Sequence, residues 1–239
     1  MSTSLTFPVG RVVRAADLLR DDSPRIAVVT LGVPKIDVAL PWGGLPSGLH
    51  EIAASDATGI GFATFLAARR PGPILWCRSR RAALEAGEPY GPGIAGLGLA
   101  PDRLILIEAS KPADLLWAME EGARARGLAA VLGEGVKADL TASRRLQLAA
   151  EAGEGLVLLL SDGTGPASAQ SALTRWHVAS CPSVPEAGGP GRPCWKLALR
   201  RCRGGGKLQE WLVEWDDAAF SLSLASALPD RPLAAAASA

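Results

Sequence analysis

Residues 54–61 read Ala54-Ser-Asp-Ala-Thr-Gly59-Ile60-Gly61, the outline of a phosphate loop between a strand and a helix. A working loop of this kind is G-x-x-x-x-G-K-[ST]. Its glycines let backbone N–H groups wrap the phosphates, its lysine neutralises them, and its hydroxyl holds Mg²⁺. On that spacing Ala54 takes the first glycine position, Gly59 the second, Ile60 the lysine's and Gly61 the hydroxyl's. Ile60 offers no charge and Gly61 no metal ligand. The segment is a vestigial phosphate loop, so the expectation is no cofactor, no catalysis, and a function in binding.

The elements around this loop follow from the apolar pattern. Pro41-Trp-Gly-Gly-Leu-Pro-Ser-Gly48 makes a tight turn before a strand at 49–53, and an Ala-rich helix follows the loop to about Arg70 and Pro71. Pro73 to Cys77, Leu104 to Ile107, Ala129 to Leu132 and Leu156 to Leu160 are apolar runs without alternation, which predicts strands covered on both faces. Helices are predicted from Pro112 to Arg126, with Ser110 as cap, and from Ala142 to Ala152, with Thr141 as cap. Alternating strands and helices imply an α/β fold with a mostly parallel sheet flanked by helices. The last third differs. Residues 173–179, 194–202 and 208–215 read as antiparallel strands, the last two as a hairpin around Arg203-Gly-Gly-Gly-Lys207, with Trp211, Val213 and Trp215 on one face. The expected organisation is an N-terminal helical extension over 1–24, with a helix at 11–20, a core over 25–228 and a tail over 229–239.

Composition narrows the class. A net charge of +1 over 239 residues argues for neither nucleic acid nor a membrane surface as an obligate partner. No apolar run reaches the ~18 residues of a membrane span, and the N-terminus lacks a secretory pattern, so a cytoplasmic protein is expected. Cys77, Cys181, Cys194 and Cys202 lack C-x-x-C spacing and His50 and His177 are far apart, which excludes the usual zinc motifs and predicts reduced thiols.

The order of these parts resembles the RecA-like ATPase core, and more closely the ImuA family of bacterial translesion-synthesis proteins. Gly43-Gly-Leu-Pro-Ser-Gly-Leu-His-Glu-Ile52 is similar to the glycine turn and strand before the RecA phosphate loop. Pro73-Ile-Leu-Trp-Cys77, the phrase from Tyr90 to Leu106 and Trp211-Leu-Val-Glu-Trp-Asp-Asp217 resemble ImuA segments, and the likeness spans roughly residues 25–220. In an active RecA-like site a carboxylate after the third strand polarises water and another at the fourth strand end organises Mg²⁺. Here the first position falls among Cys77, Arg78, Ser79 and Arg80, and Gly133 stands at the second. Glu134 is either a one-residue shift of the metal ligand or, by strand period, aimed at the opposite face. The counterparts of RecA's DNA-gripping loops, Glu134 to Leu140 and Ser161 to Gln170, hold one Lys and no Arg, which argues against filament-type DNA binding.

Other residues carry two readings each. Arg192, Lys196, Arg200, Arg201, Arg203 and Lys207 form either a patch for DNA phosphates or an acidic partner, or a solvated hairpin blunting a sheet edge, so DNA contact stays open. Trp42 is either an exposed interface anchor or a cap on the core, whereas Trp76 and Trp117 sit in apolar patterns and are expected in the core. His50 is expected to be structural, and Arg78, Arg80 and Arg81 to contact an acidic partner or to lie in a solvated loop.

The resemblance implies a DNA-damage-induced (SOS-type) accessory of mutagenic translesion synthesis. It would work without catalysis beside ImuB, a Y-family polymerase homologue lacking polymerase activity, and an error-prone C-family polymerase, and it admits RecA as a further partner. Two alternatives are a SulA-type cell-division inhibitor and a weak ATP-binding RecA-like regulator.

Overall fold

The computed structural model describes residues 28–163, 169–183 and 191–225. The helix expected at 11–20, the extension 1–24 and the tail 229–239 lie outside the described residues. β1 (Val28–Val29) and β2 (Leu45–Pro46) pair antiparallel as a small separate sheet, bracketing the short helix α1 (Pro34–Asp37). Next come β3 (Gly48–Ala53), α2 (Thr58–Ala68), β4 (Ile74–Ser79), and the short helices α3 (Arg80–Ala86) and α4 (Gly91–Gly96). β5 (Leu104–Ala109), α5 (Pro112–Arg124), β6 (Ala130–Glu134), α6 (Leu140–Gly153) and β7 (Leu156–Ser161) continue the alternation. β8 (Thr174–Cys181), β9 (Cys194–Cys202), β10 (Glu210–Asp216) and β11 (Ser221–Leu224) close the chain.

One nine-stranded sheet organises these parts, in the order β11-β10-β9-β8-β3-β7-β6-β4-β5. Its ladders from β8 across to β5 are parallel and those from β8 to β11 antiparallel. Helices cover both faces of the central strands, so every residue of β3 and β6 is buried. On one face α2 packs against Ile52, Trp76, Leu132 and Leu158; on the other α5 and α6 cover Leu75, Val131, Val157 and Leu159.

The two covering layers differ in kind. α2 buries Phe62, Ala63, Phe65, Leu66 and Ala67, an apolar surface on nearly all sides, because the tryptophans of the antiparallel strands close over it. Phe62 meets Trp176 edge-on at 5.8 Å and Phe65 meets Trp215 at 5.5 Å between ring centres. Burial of each phenylalanine contributes about 1.5–3 kcal/mol, and each ring pair adds about 0.5–1.5 kcal/mol. α5 instead buries a stripe of Leu115, Ala118, Met119, Gly122 and Ala123. Trp211, Val213 and Trp215 share the buried face of β10, as their alternation predicts.

The expectations fail at several points. Trp117 is 62% exposed, because it lies off the α5 stripe that faces the sheet. Among the described residues β5 is not covered on both faces: it is a sheet edge pairing only with β4, with Ile105 39% and Leu106 41% exposed. Among the described residues the sheet's edges are β5 and β11, so the basic β9–β10 hairpin is interior and does not blunt an edge. Asp139, not Thr141, caps α6 by accepting from Ala142 N at 2.7 Å, and α5 starts after Lys111 with no side-chain cap from Ser110. Among the described residues no helix is long and apolar enough to cross a membrane.

Candidate functional site

The loop from β3 into α2 keeps the backbone course of a phosphate loop and fills it with its own side chains. Gly59 is held by sterics, since a Cβ there would lie 2.8 Å from Ala54 Cβ. Ile60 is half-buried and packs against the α2 core, and a Cβ on Gly61 would touch the Trp195 ring at 3.4 Å. The first turn of a helix presents free N–H groups that favour an anion. Here Asp56 supplies one: its Oδ1 accepts from Thr58 N at 3.0 Å and from the Thr58 hydroxyl, and its Oδ2 from Ser180 Oγ at 2.9 Å. Those bonds, the Thr58 hydroxyl first, hold the carboxyl below the ordinary aspartate range.

The ends of β4 and β6 carry the second half of the site. Arg78 and Glu134 are register partners on adjacent parallel strands. Gly133 points towards α5, where a Cβ would lie 2.4 Å from Met119 Cε, so no side chain fits on that face. Glu134 therefore projects to the other face, as the strand period predicts, but that face, not Gly133's, carries the cavity beside Gly59 and Ile60, so Glu134 reaches the site after all. It is already engaged, because Glu134 Oε2 accepts from Arg78 Nε at 2.8 Å and from Trp76 Nε1 at 2.9 Å. Arg78, 2% exposed, also donates from Nη2 to the Gly87 carbonyl at 2.9 Å and stacks over the Trp76 ring at 5.7 Å. Arg78 thus belongs to the interior, neither to a solvated loop nor to a partner surface.

The cavity between these two features measures about 360 Å³. Its described lining holds the carboxylates of Asp56, Glu85, Glu134 and Asp162 against the cations Arg81 and Lys137, and Arg81 is tied to Glu85 at 2.8 Å. Those residues do not fit a magnesium triphosphate: the anion seat is taken, the acid on the metal side is ion-paired, and the lining is net negative. Among the described residues no cluster of three or more His, Cys, Asp or Glu could hold a metal ion.

The remaining candidates scatter. Arg192 pairs with Asp216 at 2.9 Å, Lys196 and Arg200 both pair with Glu210, at 2.5 and 2.8 Å, and Arg201 Nη1 donates to the Gln170 carbonyl at 2.6 Å. Arg203 and Lys207 sit exposed at the hairpin turn. Three of these six cations are thus ion-paired, against two carboxylates. Trp42 is half-buried beside the same turn, 3.5 Å from the Cβ position of Gly204. His50 is fully buried: Nε2 donates to the Pro46 carbonyl at 2.9 Å and Nδ1 accepts from the Thr174 hydroxyl at 2.8 Å. That hydroxyl in turn accepts from Trp176 Nε1 at 2.9 Å. Burial pushes the imidazole down to about 4.

The role of Asp56 and the buried pairing of Arg78 escape a reading of the sequence. An Asp two residues before a helix-starting Thr is a recognisable local signal, but nothing local marks an arginine that pairs 56 residues ahead.

No family model matches the chain. Among solved structures it resembles the crystal structure of the RadB recombinase, with a TM-score of 0.54 and 12% identity over 83% of this chain and 100% of that one, a likeness of fold. Among known proteins it is 36% identical over 234 residues to Protein ImuA of Caulobacter vibrioides strain NA1000, covering 87% of this chain and 93% of the relative. The same protein from Caulobacter vibrioides strain CB 15 matches equally. The fold is thus the RecA-like one that the loop and strand order imply, and the chain belongs to the ImuA family.

Proposed function

We propose that this protein is a non-catalytic RecA-like adaptor of damage-induced translesion synthesis, docking with an ImuB-type inactive Y-family polymerase homologue and, through it, with an error-prone C-family polymerase. The observation that carries this reading is the capture of Glu134 by Arg78 and Trp76. An acid held by two donors in the interior can neither coordinate Mg²⁺ nor activate water without breaking a buried ion pair. Asp56 in the anion seat supports the same reading from the other side of the cavity. Family membership supports the choice of partner class. The test is co-purification of the chain with its genomic ImuB partner, both verified as folded. A stable complex unaffected by Mg-ATP supports the adaptor role, and failure to associate overturns it.

Lys137 in the cavity lining favours one other reading, weak nucleotide binding that regulates docking. Calorimetric titration with Mg-ATP separates the two: micromolar affinity replaces the adaptor reading with a nucleotide-gated one, and no heat excludes the gate.

A further inference from the structure

β8 ends and β9 begins with a cysteine, each beside a proline, and the ladder sets Cys181 directly opposite Cys194. Directly opposed residues on antiparallel strands have Cα atoms about 4.5–5.5 Å apart, inside the ~4.4–6.8 Å span of a disulfide. As register partners, their side chains leave the same face of the sheet, side by side. Cys194 is buried and Cys181 half-exposed, which gives the pair one accessible and one shielded sulfur. The other thiols are apart from this pair: Cys77 lies inside β4, and Cys202 at the far end of β9 opposite Thr174.

We propose that Cys181 and Cys194 form an oxidisable dithiol, a modification site at which a small-molecule disulfide installs a cross-strand bond. The Cys181 thiolate attacks one sulfur of the oxidant, forming a mixed disulfide and releasing one thiolate. The Cys194 thiolate then attacks the Cys181 sulfur, closing the intramolecular bond and releasing the second thiolate. The protein loses two electrons and two protons, and the oxidant disulfide becomes two thiols. The bond ties down the strand end that carries Ser180, the residue that holds Asp56 in the phosphate loop. The reaction is slow at neutral pH. Burial, the neighbouring Cys194 and the carboxylate of Glu214, whose residue faces Cys194 across β10, push the Cys181 thiol up to about 12.

The test incubates the reduced, folded full-length chain with oxidised glutathione across a pH series, blocks remaining thiols, and maps peptides by mass. The expected product is a Cys181–Cys194 linked peptide lighter by two hydrogens, forming about tenfold faster per pH unit while the attacking thiol remains mostly protonated. A Cys77→Ser/Cys202→Ser variant keeps the crosslink, and Cys194→Ser stops at the glutathione adduct of Cys181. Links through Cys77 or Cys202, an adduct on wild-type Cys181 that never resolves, or no reaction short of unfolding would overturn the proposal. The Cys77→Ser/Cys202→Ser arm decides the matter even where Cys194→Ser fails to fold.

Discussion

Removing the Glu134 carboxylate exposes how the nucleotide site was closed. In Glu134→Ala the Arg78 guanidinium, 2% exposed, loses its 2.8 Å partner and keeps the Gly87 carbonyl, the Trp76 ring face and Glu108, whose nearest oxygen is 3.9 Å from Nη1. The Trp76 indole loses its acceptor at the same time. Two charges about 4 Å apart at an effective dielectric constant of about 20 interact by about 4 kcal/mol, and breaking one side of a buried pair costs about 3–5 kcal/mol. These figures agree, so Glu134→Ala should lower unfolding free energy by about 4 kcal/mol, a large share of the ~5–15 kcal/mol typical of a domain. The double variant Arg78→Leu/Glu134→Gln removes both charges and keeps an amide oxygen for the indole, and should stay within about 1–2 kcal/mol of wild type. Urea unfolding followed by tryptophan emission measures both, provided the denaturant slopes match. A Glu134→Ala loss below about 1 kcal/mol would refute the reasoning, because it would mean that Glu134 is free of Arg78 and available for metal.

Three further outcomes are expected. The folded state holds His50 neutral at a pKa of about 4 against 6.5 in the unfolded chain, so its contribution is complete above pH 6.5 and is lost as pH falls towards 4. The span amounts to about 3 kcal/mol, and the difference between wild type and a His50→Gln variant across that window, read by chemical unfolding, should show it. Ile60→Lys/Gly61→Thr alone should leave Mg-ATP binding undetectable by calorimetry, whereas adding Asp56→Gly empties the anion seat and should raise affinity at least tenfold over that double variant. Arg200→Ala should leave the salt dependence of any DNA binding unchanged in a fluorescence-anisotropy titration, because Arg200 is paired with Glu210, whereas Arg203→Ala/Lys207→Ala, at the exposed hairpin turn, should flatten it.

The alternation of strands and helices was readable because buried parallel strands announce themselves as unbroken apolar runs. The same signal misleads at β5, whose Leu-Ile-Leu-Ile run differs in nothing local from that of β7 yet lies at the sheet margin. Edge or centre is decided by strand order, which is not local information. Trp117 sits in Leu-Leu-Trp-Ala-Met, where adjacent apolar residues leave the buried face of the helix ambiguous until Met119 is fixed against Gly133. The vacancy of the lysine and hydroxyl positions at Ile60 and Gly61 was legible by spacing alone. What fills the site was not. Arg78 stands in Arg-Ser-Arg-Arg, a run that reads as solvated, and only the pairing of β4 with β6 turns it inward. Whether the face on which Glu134 emerges is the one that carries the cavity is a packing fact with no sequence signature.

β5 has a practical consequence. Its outer row of amide and carbonyl groups, flanked by Ile105 and Leu106, carries none of the lysines, prolines or bulges by which natural sheets discourage uninvited strands. Glu108 is the one charge this margin carries, so a chain of this kind should be best behaved when made together with whatever shields the strand. Poor solubility on purification would then report a border that is open among the described residues, not a faulty fold.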